Sequence, residues 1–266
     1  MYYTLGYQSI IESINKAITP YYNYNNFIKK HSIFTHIPKQ KNPLITSYEG
    51  ALPFCCSHLM SLERHFTNNP EKINKMINSN IFYEWLNKLE THNEIHNLVN
   101  KIIKIVIVNK LYSYTNGTTE NAIGLASIDF KDNFNHQDFL ELIFHQLTHM
   151  ILFIDDISHT HMKKNDKLIS VDVEGVKSIF DDKKFPIYTL FHSYIVGVEV
   201  LIFRKEFFGE ESSSIYHGKT DRIIKICQKM SISIENNISY FSNRSIYIFK
   251  KSKELINKLT DEEIIK

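Results

Sequence analysis

The chain has 266 residues, 43% of them hydrophobic, with 15 Tyr and 18 Phe, which is enough apolar surface for a large core and excludes a disordered chain. Its 31 basic and 29 acidic side chains leave a formal charge of +2, so no global field favours nucleic acid or an anionic membrane. Three cysteines, Cys55, Cys56 and Cys227, are too few and too awkwardly placed for a disulfide framework or a cysteine-based zinc site, and fit a reducing cytoplasm.

From Met1 to Ile18 polar residues recur every few positions, and no later segment reaches membrane-spanning length without charge, so neither an export signal nor a membrane partner is expected. Tyr7 to Ile18 has helical apolar spacing, ended by Pro20 and the Asn-rich stretch after it. An irregular stretch from His36 to Pro43 follows, then an apolar helical pattern from Gly50 to Thr67, then two amphipathic segments that run through Trp85 to about Lys101. Residues 1–101 therefore read as a helical layer.

The pattern changes at Ile102. The β-branched run Ile102 to Val108 and the segment Ile123 to Phe130, separated by Asn116 and Gly117, read as two strands, a small β-hairpin or sheet over 102–130. Asn135 can cap a helix from His136 to about Ile154, and Pro186 can open another that reaches Phe207. These would be the site helices of 131–208, with scaffold helices over 209–266. The expectation is one domain over 1–266, mainly α with a small β element (α+β) ahead of the HQLTH helix.

His145 and His149 are four residues apart, so on a helix their rings share a face and can share one metal ion. A bare HxxxH is common, and THNEIH supplies a second with His92 and His96, set among Asn93, Glu94 and Asn97 as on a solvated face. His145 and His149 instead interrupt an almost wholly apolar helix, where Asp138, Glu141, His145, Thr148 and His149 form one polar stripe that needs partners or a metal. Position 146 sets the chemistry. The peptidase motif HExxH uses its Glu as general base, whereas the Gln146 carboxamide cannot take a proton near neutral pH, so zinc-peptidase hydrolysis is disfavoured. For a third ligand the later helix offers His192, with Glu199 as a competitor that would complete a two-His, one-carboxylate triad. Asp155, Asp156, His159, His161 and Glu174 are weaker candidates, His159 and His161 being expected in a solvated loop.

HQLTHMILFIDD followed by PIYTLFHSYIVGVEVLIFR resembles the HExxH-motif peptide-modification family found beside ribosomally synthesised peptide pathways, over about Gly117 to Phe208. Phe191 and His192 match the element of that family's second helix that carries Leu-His or a near variant. The resemblance implies an iron- and 2-oxoglutarate-dependent oxygenase that hydroxylates a β-carbon in a precursor peptide. It implies His145 and His149 as Fe(II) ligands, His192 as the third, and Gln146 in the place of the motif Glu. If that Glu is an outer-shell group, Gln146 can still orient a ligand; if it is catalytic, the chain is a degenerate, peptide-binding partner protein. Clustered Tyr2, Tyr3, Tyr21, Tyr22 and Tyr24 would then supply a recognition surface. The co-substrate 2-oxoglutarate calls for a cation, and of the four arginines Arg204 shares a helix with His192, while Arg64, Arg222 and Arg244 lie elsewhere. A solvent-facing helix-end arginine is the plainer expectation for Arg204. Zinc is the alternative metal.

Overall fold

Apolar periodicity turns into helices where the sequence supplies caps and breaks. The computed structural model describes residues 1–32, 34–55, 71–110, 117–131, 133–176, 184–209 and 212–264. It is mostly helical with little sheet: α1 (Tyr2–Leu5), α2 (Tyr7–Ile18), α3 (Tyr24–His31), β1 (Leu44–Thr46), α4 (Tyr48–Ala51), α5 (Glu71–Asn78), α6 (Ile81–Asn87), α7 (Asn93–Ile102), β2 (Ile105–Asn109) and β3 (Leu125–Asp129). There follow α8 (His136–His159), β4 (Ser170–Asp172), β5 (Lys184–Pro186), α9 (Ile187–Phe208), β6 (Ser213–Ser214), β7 (Gly218–Lys219), α10 (Thr220–Asn236) and α11 (Asn243–Ile264). Most of the helical pattern read between Gly50 and Thr67, together with Cys56, Arg64 and Asn116, lies outside the described residues.

The chain packs as two compact units, one formed by Ala17–Phe153 and the other by Met1–Lys16 with Ile154–Lys266. Both unit boundaries fall inside helices, α2 and α8.

In the first unit β2 and β3 lie side by side as expected, but parallel, with Ile105 opposite Leu125 and Asn109 opposite Asp129. A parallel pair is not a hairpin, and the reason is in the burial: every residue of β2 is covered, as befits the unbroken apolar run of a strand enclosed on both faces. A third strand, β1, not expected from the residue pattern, adds to the other edge of β2, again parallel. Beside the sheet, Phe82 of α6 meets Phe139 of α8 at 5.1 Å and Trp85 meets it at 5.9 Å, fixing the amino-terminal half of α8. That helix opens on a reciprocal cap: Asn135 Oδ1 accepts from the Gln137 and Asp138 amides, and Asp138 Oδ2 accepts from the Asn135 amide.

In the second unit α9 is the core element, opened by Pro186 at its N-cap and packed against α10 and α11. It is long and apolar enough to cross a membrane by composition, yet most of it is buried inside the fold. Gly197 lets α10 approach: a Cβ there would lie 2.6 Å from the Cys227 Sγ, well inside contact distance. Gly197→Ala is therefore expected to lower stability by about 1–3 kcal/mol through overpacking. Thermal unfolding checks it, and Cys227→Ala in the same chain should recover much of the loss, giving a non-additive double-mutant cycle.

Candidate metal centre

Along α8, from Asp138 to Asp155, every residue is buried except His145 and His149, which are half-buried. Their ring centres are 4.9 Å apart, as the four-residue spacing requires, and the His149 ring lies 6.2 Å from Phe153 in a stacked arrangement. Two imidazoles side by side, half-buried in the covered middle of this helix, fit two ligand positions of a divalent transition ion. Gln146 between them is fully buried, and among the described residues its amide meets no hydrogen-bond partner. Thr148 returns its hydroxyl to the Phe144 carbonyl at 2.9 Å. Among the described residues no three His, Cys, Asp or Glu side chains gather as a metal-binding group.

The decoy pair differs in its backbone. His92 is the N-cap of α7, with a non-helical backbone, and His96 pairs with Asn100 at 3.1 Å.

His192, Glu199 and Arg204, the candidates on α9, belong to the other unit, and all three are buried. The Glu199 carboxylate accepts from the Thr4 amide at 2.8 Å, the Thr4 hydroxyl at 2.5 Å and the Tyr3 amide at 3.0 Å, and lies 2.5 Å from the Met1 α-amino group. Burial pulls that amine down to about 6, outweighing the opposing pull of the carboxylate. Glu199 therefore has a structural employment rather than a ligand's. Arg204 departs from both expectations placed on it, the solvent-facing arginine and the carboxylate clamp. It is wholly buried, and its guanidinium donates to the carbonyls of Ser212 and Gly218 and to the hydroxyls of Ser214 and Thr220, tying down the β6–β7 hairpin.

The expected solvated loop after α8 is also different. His159 ends the helix near Lys16, but His161 is completely buried, with Nε2 2.7 Å from Asp155 Oδ2. Asp155, also fully buried, accepts from Arg244 at 3.0 and 2.6 Å and from Ser13 at 2.7 Å. Next to it, Asp156 accepts from Lys167 at 2.6 Å, Tyr188 at 2.9 Å and the His161 amide at 2.5 Å. Glu174 is exposed in a turn after β4. Sequence reading gave Asp155 and Arg244 minor roles and missed their pairing across 89 residues; the signal available was the DD pair closing an apolar helix, which demands buried cations. Of the clustered tyrosines only Tyr22 is exposed; Tyr3, Tyr21 and Tyr24 give their hydroxyls to Glu206, His31 and the Ile102 carbonyl.

Burial pushes the Asp155 carboxyl up, but the hydrogen bonds from His161, Arg244 and Ser13 outweigh it and hold the group well below its usual range. Asp156 is lowered in the same way, burial opposed by the charge of His161 and the bond from Lys167. A carboxyl depressed in the folded state contributes stability that is present above its unfolded pKa near 3.8 and is lost as pH falls below it. Thermal unfolding should show the melting temperature falling steeply below about pH 4. Asp155→Asn should cost about 3–5 kcal/mol at pH 7 by leaving Arg244 without its buried partner, and should flatten the acid limb, with the Asp156 part remaining.

A scan of this chain against protein-family models and a search of curated proteins return no match.

Proposed function

We propose that this protein is a non-haem Fe(II), 2-oxoglutarate-dependent oxygenase acting on a peptide, with His145 and His149 as two of the metal ligands. The observation that supports it is the exposure pattern of α8: between Asp138 and Asp155 only these two side chains are not buried, and their rings stand 4.9 Å apart. Fe(II), when bound, would supply the centre at which dioxygen oxidises both substrates, one oxygen atom going to the peptide carbon and the other to 2-oxoglutarate, which leaves as succinate and CO2.

The protein's own part is to hold and to exclude. The apolar body of α8, packed against Phe82 and Trp85, fixes the two rings on one helical face. Gln146 can neither take nor release a proton near neutral pH, so it does not activate water for hydrolysis, and this favours an oxygenase over a zinc peptidase. Its buried amide is suited to an outer-shell role, orienting a neighbour by hydrogen bonding rather than by proton transfer. The substrate class, a ribosomally made precursor peptide, and the cytoplasmic setting come from the resemblance of HQLTHMILFIDD and the α9 segment to the peptide-modification family. Arg204 has no part in this scheme, since the β6–β7 hairpin holds it.

A second function, a peptide-binding partner without catalysis, draws on one fact, Gln146 in place of the motif Glu. The mostly engaged tyrosines weaken it.

Anaerobic titration of the metal-free protein with Fe(II) and then 2-oxoglutarate should produce the visible charge-transfer band of a chelated complex. His145→Ala and His149→Ala should each abolish the band while leaving helix content near wild type. Folded wild-type protein that gives no band, or an unchanged band in His149→Ala, defeats the assignment.

A further inference from the structure

Between α7 and the end of β2 the apolar run from Ile102 to Val108 is broken by one charge, at Lys104. The backbone of this residue is committed on both sides: its amide donates to the Gly124 carbonyl at 2.7 Å, and its carbonyl accepts from the Leu44 amide at 2.9 Å. Ile103 and Ile105 on either side are fully buried, so the chain cannot slide to carry the lysine out into solvent. Its side chain stays half-buried, with part of its surface open to a reagent.

The surroundings of the amine are unusual for a lysine. Nζ donates to the Asn100 carbonyl, 3.0 Å away in the last turn of α7, and stands 5.3 Å from the centre of the Tyr24 ring, whose hydroxyl is turned to the Ile102 carbonyl at 3.1 Å. Among the described residues no carboxylate lies within ion-pair reach, and the charge that acts on the amine is another cation, Lys101. A carbonyl and a ring face favour the ammonium form, but burial first, and Lys101 second, outweigh them and bring the amine from 10.5 down to about 8.

An amine drawn out of water, set beside a second cation and given no carboxylate is the arrangement that makes a lysine nucleophilic near neutral pH. We propose that Lys104 is an acyl-acceptor site, modified by small acyl thioesters. The Nζ lone pair attacks the thioester carbonyl carbon, the carbon–sulfur bond breaks, and the leaving thiolate takes the proton that the nitrogen gives up, so that an amide and a thiol result. The amide has no charge to hold beside Lys101, and its N–H can still donate to the Asn100 carbonyl, so acylation removes a repulsion without stranding the end of α7. The site lies wholly within the first unit and does not depend on the metal role given to His145 and His149.

Folded full-length protein, treated with limiting S-acetyl-N-acetylcysteamine over a series of pH values and then digested, gives the acetylation rate of each lysine by peptide mass spectrometry. Near pH 7.5 Lys104 should react about tenfold faster than an exposed lysine such as Lys163, because on the order of 100 times more of it is free amine, although a less basic amine is intrinsically the slower nucleophile. Its rate should level off above about pH 8, where an ordinary lysine still gains. Lys101→Gln should move that plateau to higher pH and slow the reaction near pH 7.5 by about two- to threefold, with helix content unchanged. Lys104→Arg should remove the fast site and leave the other lysines as they were. Lys104 that reacts no faster than Lys163 in the folded wild type, or whose advantage persists when the chain is unfolded in urea, overturns the proposal.

Discussion

The burial of α8 is the constraint from which the rest follows. A 24-residue helix covered along nearly its whole length carries polar side chains at a cost, because an unanswered polar group in the interior costs more than the net value of a hydrogen bond. Apart from the Gln146 amide, which meets no partner among the described residues, several of its polar side chains show how that cost is limited. Thr148 bonds back to its own turn. Asp155 draws in Arg244, His161 and Ser13 from three other segments. His145 and His149 stay at the accessible edge. Between Asp138 and Asp155 these two are the side chains that the fold leaves half-buried.

The same demand organises α9, and there it yields scaffold. Glu199 and Arg204 are charges on a buried helix, and each is matched by groups that close the fold around it: Glu199 by the backbone and hydroxyl of the chain's first turn, Arg204 by the carbonyls of a two-stranded hairpin. Arg204 shows why an arginine near a suspected site is a poor guide to substrate binding. Five donors in a fixed fork suit a hairpin's carbonyls as well as they suit a carboxylate, and only the partners tell the two uses apart.

How much was legible follows the range of the interaction. The helices α2, α8 and α9 were readable because caps, proline and apolar spacing are local signals; Asn135 does cap α8 as its sequence position promised. The strands β2 and β3 were readable from β-branched runs, but their parallel pairing was not, since two buried runs of the same length look alike in either direction and the connection decides. β1 has three residues, too few for alternation to register. The site divides in the same manner. The His145 and His149 pair depends on a four-residue spacing and was visible; the Asp155 to Arg244 and Glu199 to Thr4 contacts join residues 89 and 195 positions apart, for which sequence supplies the need and not the partner.

The two HxxxH stretches make the final point about motifs. Both have the spacing that lets a helix present two rings together, yet only in one do both histidines lie inside the helix. His92 caps the helix it was assumed to ride on, because Thr91 and His92 end a 3₁₀ turn and the backbone of His92 is not helical, whereas His145 and His149 lie well inside an unbroken helix. A spacing rule presupposes its own secondary structure. What separated the pairs beforehand was the company each keeps: Asn93, Glu94 and Asn97 around one, and Phe144, Leu147, Met150 and Phe153 around the other. Apolar neighbours favour the continuous helix that the spacing needs, which is why buried context outweighs the motif.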